Sequence, residues 1–109
     1  MGKPLYVDKE CRIAVKKMLG ERLWKIYERK QQDAEGGDKK RLTYSSVAEK
    51  CFCEARTIER MVHAWDPQLP LIFNVWLFYE ALDVSEEEQL SIQKEITGFI
   101  CSYMKEDDD

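Results

Sequence analysis

Apolar residues in the first third of the chain recur at intervals of three and four, which is typical of one face of an amphipathic helix. They are Cys11, Val15, Leu19, Leu23, Ile26 and Tyr27. Asp8 stands just before them, and an aspartate side chain is a common N-cap. The pattern predicts a helix over residues 9–32, with a kink or a division at Gly20 because glycine weakens a helix interior.

Two short helices follow a polar loop. The stretch "QQDAEGGDKKR" contains a Gly-Gly pair and predicts an exposed connection. Thr43 is suited to cap a second helix that continues through residues 46–50, and a third helix is predicted over residues 54–64. Pro67 and Pro70 end it, since the residue before a proline is pushed out of helical geometry.

Two longer helical segments complete the chain. Pro70 fits the first turn of a fourth helix over residues 71–82, and Ser85 with Glu88 forms a capping-box pattern that opens a fifth helix ending near residue 104. No segment alternates with the period of two that a half-buried strand requires. The prediction is an all-α fold, with one domain over residues 1–104 and an acidic disordered tail at residues 105–109.

The fourth helix is apolar almost all round, so both of its sides must be covered. The stripe predicted to face the core is Ile72, Val75, Trp76, Tyr79 and Leu82. The remaining apolar residues are Leu71, Phe73 and Leu77. Two covers are open: a second subunit, or the fifth helix through Leu90, Ile96, Phe99, Ile100 and Tyr103. We expect a homodimer with Leu71, Phe73 and Leu77 at or beside the contact.

Composition limits the class of protein. A hydrophobic content of 44% and a charged content of 35% are ordinary for a globular domain. The longest apolar run, residues 69–79, is far shorter than the ~20 residues of a membrane span. Charge is scattered through the N-terminus, unlike a secretory leader, so we expect a cytoplasmic protein without a membrane partner. The four cysteines are then expected to be reduced and mostly buried.

The net charge of -4 is unevenly distributed. Residues 80–109 hold ten acidic and two basic residues, a net charge of -8, so residues 1–79 carry +4. The densest basic block is residues 9–30, with eight bases and three acids. Such asymmetry indicates either a nucleic-acid-binding face with an acidic tail or two solvated helix faces of opposite sign.

The stretch "LTYSSVAEKCFCEARTIERM" resembles the helix-turn-helix of the phage-repressor and Cro family. The matching positions are Leu42, Thr43, Val47, Ala48, Cys53, Thr57 and Ile58. In addition, "LGERLWKIYERK" is similar to the first helix of that family and "PLIFNVWLFYEALDVSEEE" to its fourth. The resemblance covers residues 19–90 and implies a five-helix repressor-like domain, here with extended first and last helices and with the motif at about residues 42–64.

The residues of the motif have physical roles of their own. Ala48 is small enough for a close helix crossing, and Val47 and Ile58 are expected to face the shared core. The break between the two helices directs the third helix outward, as groove entry requires. Phe52 stands where the family commonly has glycine, and a left-handed backbone there costs roughly 1–2 kcal/mol. We therefore expect a turn of different construction.

The resemblance also implies which residues contact DNA. Ala55, Arg56 and Arg60 fall at positions that reach base edges, and Tyr44 falls beside the backbone. Arginine suits bidentate bonding to guanine, and alanine leaves room for a thymine methyl group. Lys39, Lys40 and Arg41 precede the second helix and are candidates for phosphate contacts. The alternatives are surface ion pairs between Glu59 and these arginines, and a merely solvated basic loop.

Other chemistry is poorly supported. Cys51, Cys53, His63 and Cys101 are potential metal ligands, but their spacing matches neither of the usual two-cysteine zinc motifs. No arrangement of nucleophile, base and orienting acid is evident, so we expect neither an enzyme nor a cofactor.

The predicted function is a DNA-binding transcriptional regulator that reads the major groove of double-stranded DNA in a sequence-specific way. The alternative is a protein-interaction module, antitoxin-like or an accessory factor, that keeps the fold without binding DNA. Arg56 and Arg60 favour the first function, whereas Glu54 and Glu59 favour the second.

Overall fold

The computed structural model describes residues 9–35, 42–63 and 72–106, and these residues form five α-helices. The helices are α1 (Lys9–Glu35), α2 (Tyr44–Lys50), α3 (Ala55–His63), α4 (Ile72–Ala81) and α5 (Glu86–Glu106). The described residues contain no strand, which confirms the all-α prediction. None of these helices combines the length and the apolarity needed to cross a membrane.

Helix α1 is a single element of 27 residues. It ends three residues later than predicted and is not divided at Gly20, which is buried. The predicted apolar face is confirmed, because Cys11, Val15, Leu23, Ile26 and Tyr27 are all buried, while Leu19 packs against the core with partial exposure.

The core is formed by side chains from all five helices. Helix α1 packs against α3 and α5, and α2 packs against α3 and α4. The largest fully buried side chains come from four helices: Leu23, Ile26, Ile58, Phe78 and Ile92. Helices α2 and α3 are therefore fixed on a framework of the three longer helices.

Helices α1 and α5 run antiparallel and are joined by charged side chains. The Arg29 guanidinium donates to both carboxylate oxygens of Glu88, at 2.7 and 3.1 Å. Seven residues earlier in α1, Arg22 pairs with Glu95, with 3.2 Å between Nε and Oε2. Arg22 also donates to the Ser91 hydroxyl at 3.3 Å. Part of the opposite charge of the two ends of the chain is thus neutralised inside the fold.

Helix α4 presents to the core part of the face that was predicted, together with Phe78. Its buried side chains are Val75, Phe78 and Tyr79, with Leu82 just beyond its end. Ile72 and Trp76, which were predicted to face the core, are exposed. The prediction is confirmed for Val75, Tyr79 and Leu82 and was wrong for the other two residues, because a helix that is apolar on almost every side has no broad polar face to set its rotation.

The connection from α4 to α5 is a tight helix-ending turn. Asp83 has a positive φ of 52°. The Val84 amide donates to the Tyr79 carbonyl at 2.9 Å, which is the long bond of a Schellman motif. The Glu88 amide then donates to the Ser85 hydroxyl at 3.2 Å, so Ser85 caps α5 as predicted. The Glu88 carboxylate binds Arg29 instead of completing the capping box.

Helix α5 continues to Glu106, two residues past its predicted end. Ile92 of α5 is buried in the core, and the sequence did not predict its burial. Leu90, predicted to cover α4, is exposed. The other predicted covering residues, Ile96, Phe99, Ile100 and Tyr103, are partly buried.

Candidate nucleic-acid interface

Helix α2 begins at a reciprocal cap. The Ser46 amide donates to the Thr43 hydroxyl oxygen at 3.1 Å, and the Thr43 amide donates to Ser46 Oγ at 3.0 Å. Each bond satisfies an amide that the helix itself leaves without a partner. This cap fixes the position at which the short helix starts, and it confirms the predicted role of Thr43.

The turn between α2 and α3 is closed by a left-handed residue. Phe52 has φ of 56°, and the Cys53 amide donates to the Ala48 carbonyl at 3.1 Å. This is a Schellman ending with Phe52 in the position that glycine usually occupies. The expectation of a turn built differently was therefore wrong, because the closing bonds of α2 hold the strained conformation.

The inner faces of α2 and α3 are anchored as predicted. Val47 and Ala48 of α2 and Ile58 of α3 are buried in the common core. Two further residues of α3, Met61 and Val62, are buried with them. The rotation of α3 is thus set by three apolar side chains, and its opposite face is turned away from the core.

That outer face carries the predicted arginines. Arg56 is exposed and Arg60 is partly exposed, four residues further along the same helix. Ala55 is half-buried and packs against the core, which restricts what it can offer to a base. Glu54 is exposed beside them, and Glu59 is partly buried.

Tyr44 is half-buried and connects α2 to α1 and α3. Its hydroxyl lies 2.9 Å from Nε2 of His63, and its ring centroid lies 5.0 Å from that of Tyr27. Burial, with a smaller contribution from the charge of Glu59, raises the pKa of Tyr44 above its ordinary value. Trp24 completes the cluster, with its ring centroid 5.1 Å from the His63 ring.

From its sequence, His63 was predicted only as a potential metal ligand, and its contact with Tyr44 was not predicted. The sequence offered one indication of such a contact, namely a polar aromatic residue in the last turn of α3. That signal does not identify a partner 19 residues away in the sequence.

The remaining predicted DNA contacts are not all described. Lys39, Lys40 and Arg41 lie outside the described residues, as does Leu71 of the predicted dimer contact. Of the other two residues predicted at that contact, Phe73 is exposed and Leu77 packs partly against the core.

The four cysteines form no disulfide in the described residues, and their exposure ranges from buried Cys11 and Cys51 to exposed Cys101. Burial, with a smaller effect of Cys53, raises the pKa of Cys51 to about 11. Burial also raises the pKa of Cys53. These thiols stay protonated near neutral pH, which disfavours a nucleophilic role. Within the described residues, no group of three or more potential ligands is placed to hold a metal ion.

Comparison with known proteins identifies no relative. No protein-family model matches the sequence, and no curated protein and no solved structure shows significant similarity to it.

Proposed function

We propose that the chain is a DNA-binding regulator of transcription whose helix α3 enters the major groove. The observation that carries the proposal is the α2-turn-α3 unit. Its inner face is buried through Val47, Ala48 and Ile58, and its outer face presents Arg56 to solvent. A short helix held in this way is the element that helix-turn-helix proteins use to read base edges.

The dimensions of α3 suit a groove. An α-helix with its side chains is about 10–12 Å across, which the ~12 Å width of the major groove admits. The nine residues of α3 rise about 1.5 Å each along the helix axis. Arg56 and Arg60 are about 6 Å apart along the helix axis by the same rise. That separation corresponds to about two base-pair steps at 3.4 Å each.

Side-chain chemistry assigns different roles to the arginines of α3 and to the basic residues before α2. A guanidinium can donate two parallel hydrogen bonds to O6 and N7 of guanine, so Arg56 and Arg60 would carry sequence readout. Lys39, Lys40 and Arg41 would contribute affinity through phosphates without selecting a sequence. Such a regulator would work in the cytoplasm with its DNA, and a two-fold operator would require two copies of the chain.

The experiment begins with selection of binding sites from a random DNA pool, followed by affinity measurement on the enriched sequence. Arg56→Ala and Arg60→Ala should each weaken binding by about 1–3 kcal/mol on that site and relax the choice of base there. Replacing Lys39 or Lys40 should instead weaken all sequences alike and reduce the salt slope by about one unit.

Arg12→Ala provides the matched control, because Arg12 is an exposed arginine on α1 and its loss changes the net charge equally. It should leave the preferred sequence unchanged. A pool that yields no enriched sequence, together with Arg56→Ala and Arg60→Ala proteins that bind as the parent does, would refute the proposal.

A second candidate function is a protein-interaction module, antitoxin-like or an accessory factor, that keeps the fold without binding DNA. The observation that favours it is the group of exposed apolar side chains on α4, namely Ile72, Phe73 and Trp76. Failure of the DNA selection would leave this as the better-supported function.

A further inference from the structure

We propose that two copies of this chain associate through α4, each inserting an aromatic ridge into an apolar groove of the other. The ridge is formed by Ile72, Phe73 and Trp76, which are 54%, 65% and 55% exposed. The inference does not depend on DNA binding, and it differs from the contact predicted from sequence, which placed Leu71 and Leu77 beside Phe73.

The groove lies next to the ridge on the same chain. It has a volume of about 520 Å³ and is bounded by α1, α4 and α5. Its walls include Val15 and Leu19 from α1 and Ile96 and Ile100 from α5. Trp76 and Ile72 belong both to the ridge and to the wall of the groove, so the exposed apolar side chains of α4 are contiguous with the concave apolar surface.

This arrangement is self-complementary. In a two-fold contact the same patch of each copy meets the other, so a ridge beside a groove fills the partner's groove while its own is filled. The ridge and the groove therefore provide both halves of the contact in a single chain.

The charge of the surface also favours a second copy as the occupant. Near a two-fold axis each charge faces its own sign, which opposes association. None of the described residues that line the groove is charged, although 35% of the residues of the chain are charged. The polar residues among them are Gln89, Gln93 and Thr97. A neutral patch on a chain of net charge -4 is the surface that self-association requires.

The exposed area is sufficient for a substantial part of an interface. A fully covered aromatic side chain buries about 150–250 Å², so the ridge exposes on the order of 300 Å² in each copy. Patches of a few hundred Å² mark interaction sites. The ridge and the groove walls together supply roughly half of the ~800 Å² per partner of a standard interface.

The test is sedimentation velocity across a concentration series from about 1 to 100 μM, without DNA. The parent chain should sediment with twice its mass of 12.9 kDa. Trp76→Glu and, separately, Phe73→Glu should sediment at 12.9 kDa, because each places two like charges in an apolar contact. Circular dichroism should show the same helix content in the variants, since both side chains are largely exposed.

Ile13→Glu is the matched control. Ile13 is an exposed apolar residue of α1 that does not line the groove, so this variant should remain dimeric. A parent that remains monomeric at the highest concentration overturns the proposal. So does a dimer that both Trp76→Glu and Phe73→Glu leave intact. Neither result tests whether Arg56 reads DNA, because the sedimentation samples contain no DNA.

Discussion

Phe52 occupies a backbone conformation that suits glycine. Its φ is 56°, and its side chain is 87% exposed, so the ring gains little from packing. A left-handed conformation costs a residue with a Cβ roughly 1–2 kcal/mol. The turn therefore retains strain that a single substitution can remove.

Phe52→Gly should stabilise the fold by about 0.5–1 kcal/mol, measured by urea denaturation. The gain is smaller than the full strain because glycine also increases the freedom of the unfolded chain. Phe52→Ala, which keeps the Cβ, is the control and should change stability little. A loss of stability in Phe52→Gly would show that the phenyl ring makes a contact that matters.

The Tyr44 hydroxyl offers a second test at the level of one atom. Tyr44→Phe removes the 2.9 Å bond to His63 and keeps the ring beside Tyr27. It should cost about 0.5–1.5 kcal/mol in urea denaturation. Tyr44→Ala, which also removes the ring contact, should cost more. Equal stability of Tyr44→Phe and the parent would mean that the bond contributes nothing to the fold.

At the scale of helices, the Arg29–Glu88 pair links the C-terminal part of α1 to the first turn of α5. The hydrogen bond from Arg29, the largest effect, lowers the pKa of Glu88 below its ordinary value. Because the folded-state pKa is depressed, the stabilisation is present above the unfolded pKa of about 4.3 and is lost as pH falls through the folded value. Exposed pairs of this kind contribute about 0–1 kcal/mol.

Glu88→Gln should therefore lower stability by a few tenths of a kcal/mol at pH 7 and by much less at pH 3. Urea denaturation at the two pH values measures both effects. Glu87→Gln is the matched control, because it removes a neighbouring carboxylate from the same turn of α5. A pH-independent effect of Glu88→Gln would show that the lost interaction is not the charged pair.

The elements differ in how far the sequence predicts them. The α1 face could be predicted because its apolar residues alternate with charged ones, which sets the rotation of the helix. In α4 the only charged residue is Glu80, so the pattern admits several rotations and the buried Phe78 was missed. Spacing thus predicted where helices occur, whereas tertiary contacts determined which side of α4 is buried.

The candidate site was predictable only in part. Val47 and Ile58 are apolar, so their burial could be predicted. The burial of Ile58 in turn places Arg56 on the exposed side of α3. The bond between Tyr44 and His63 joins residues 19 positions apart, so it required the packed structure. The left-handed Phe52 was mispredicted because local strain was weighed without the closing bonds of α2.

At the scale of the whole molecule, the charge asymmetry has an internal and an external part. Arg22 and Arg29 of α1 form ion pairs with Glu95 and Glu88 of α5, so part of the opposite charge is paired within the fold. The other part of the asymmetry is the acidic segment over residues 105–109. Residues 105–109 carry a net charge of -3 and no apolar side chain.

Deleting residues 105–109 should leave the melting temperature nearly unchanged, because the deletion removes no apolar side chain and only the last two residues of α5. It should tighten binding to random DNA at low salt, since the removed carboxylates compete with phosphates for the basic residues. Screening over ~8 Å at physiological salt should shrink the difference.

A full-length variant with Asp107, Asp108 and Asp109 changed to asparagine separates charge from length and should reproduce most of the gain. A large drop in melting temperature after the deletion would show that the segment supports α5. Unchanged DNA affinity at low salt in both proteins would show that its charge does not act on the DNA-binding face.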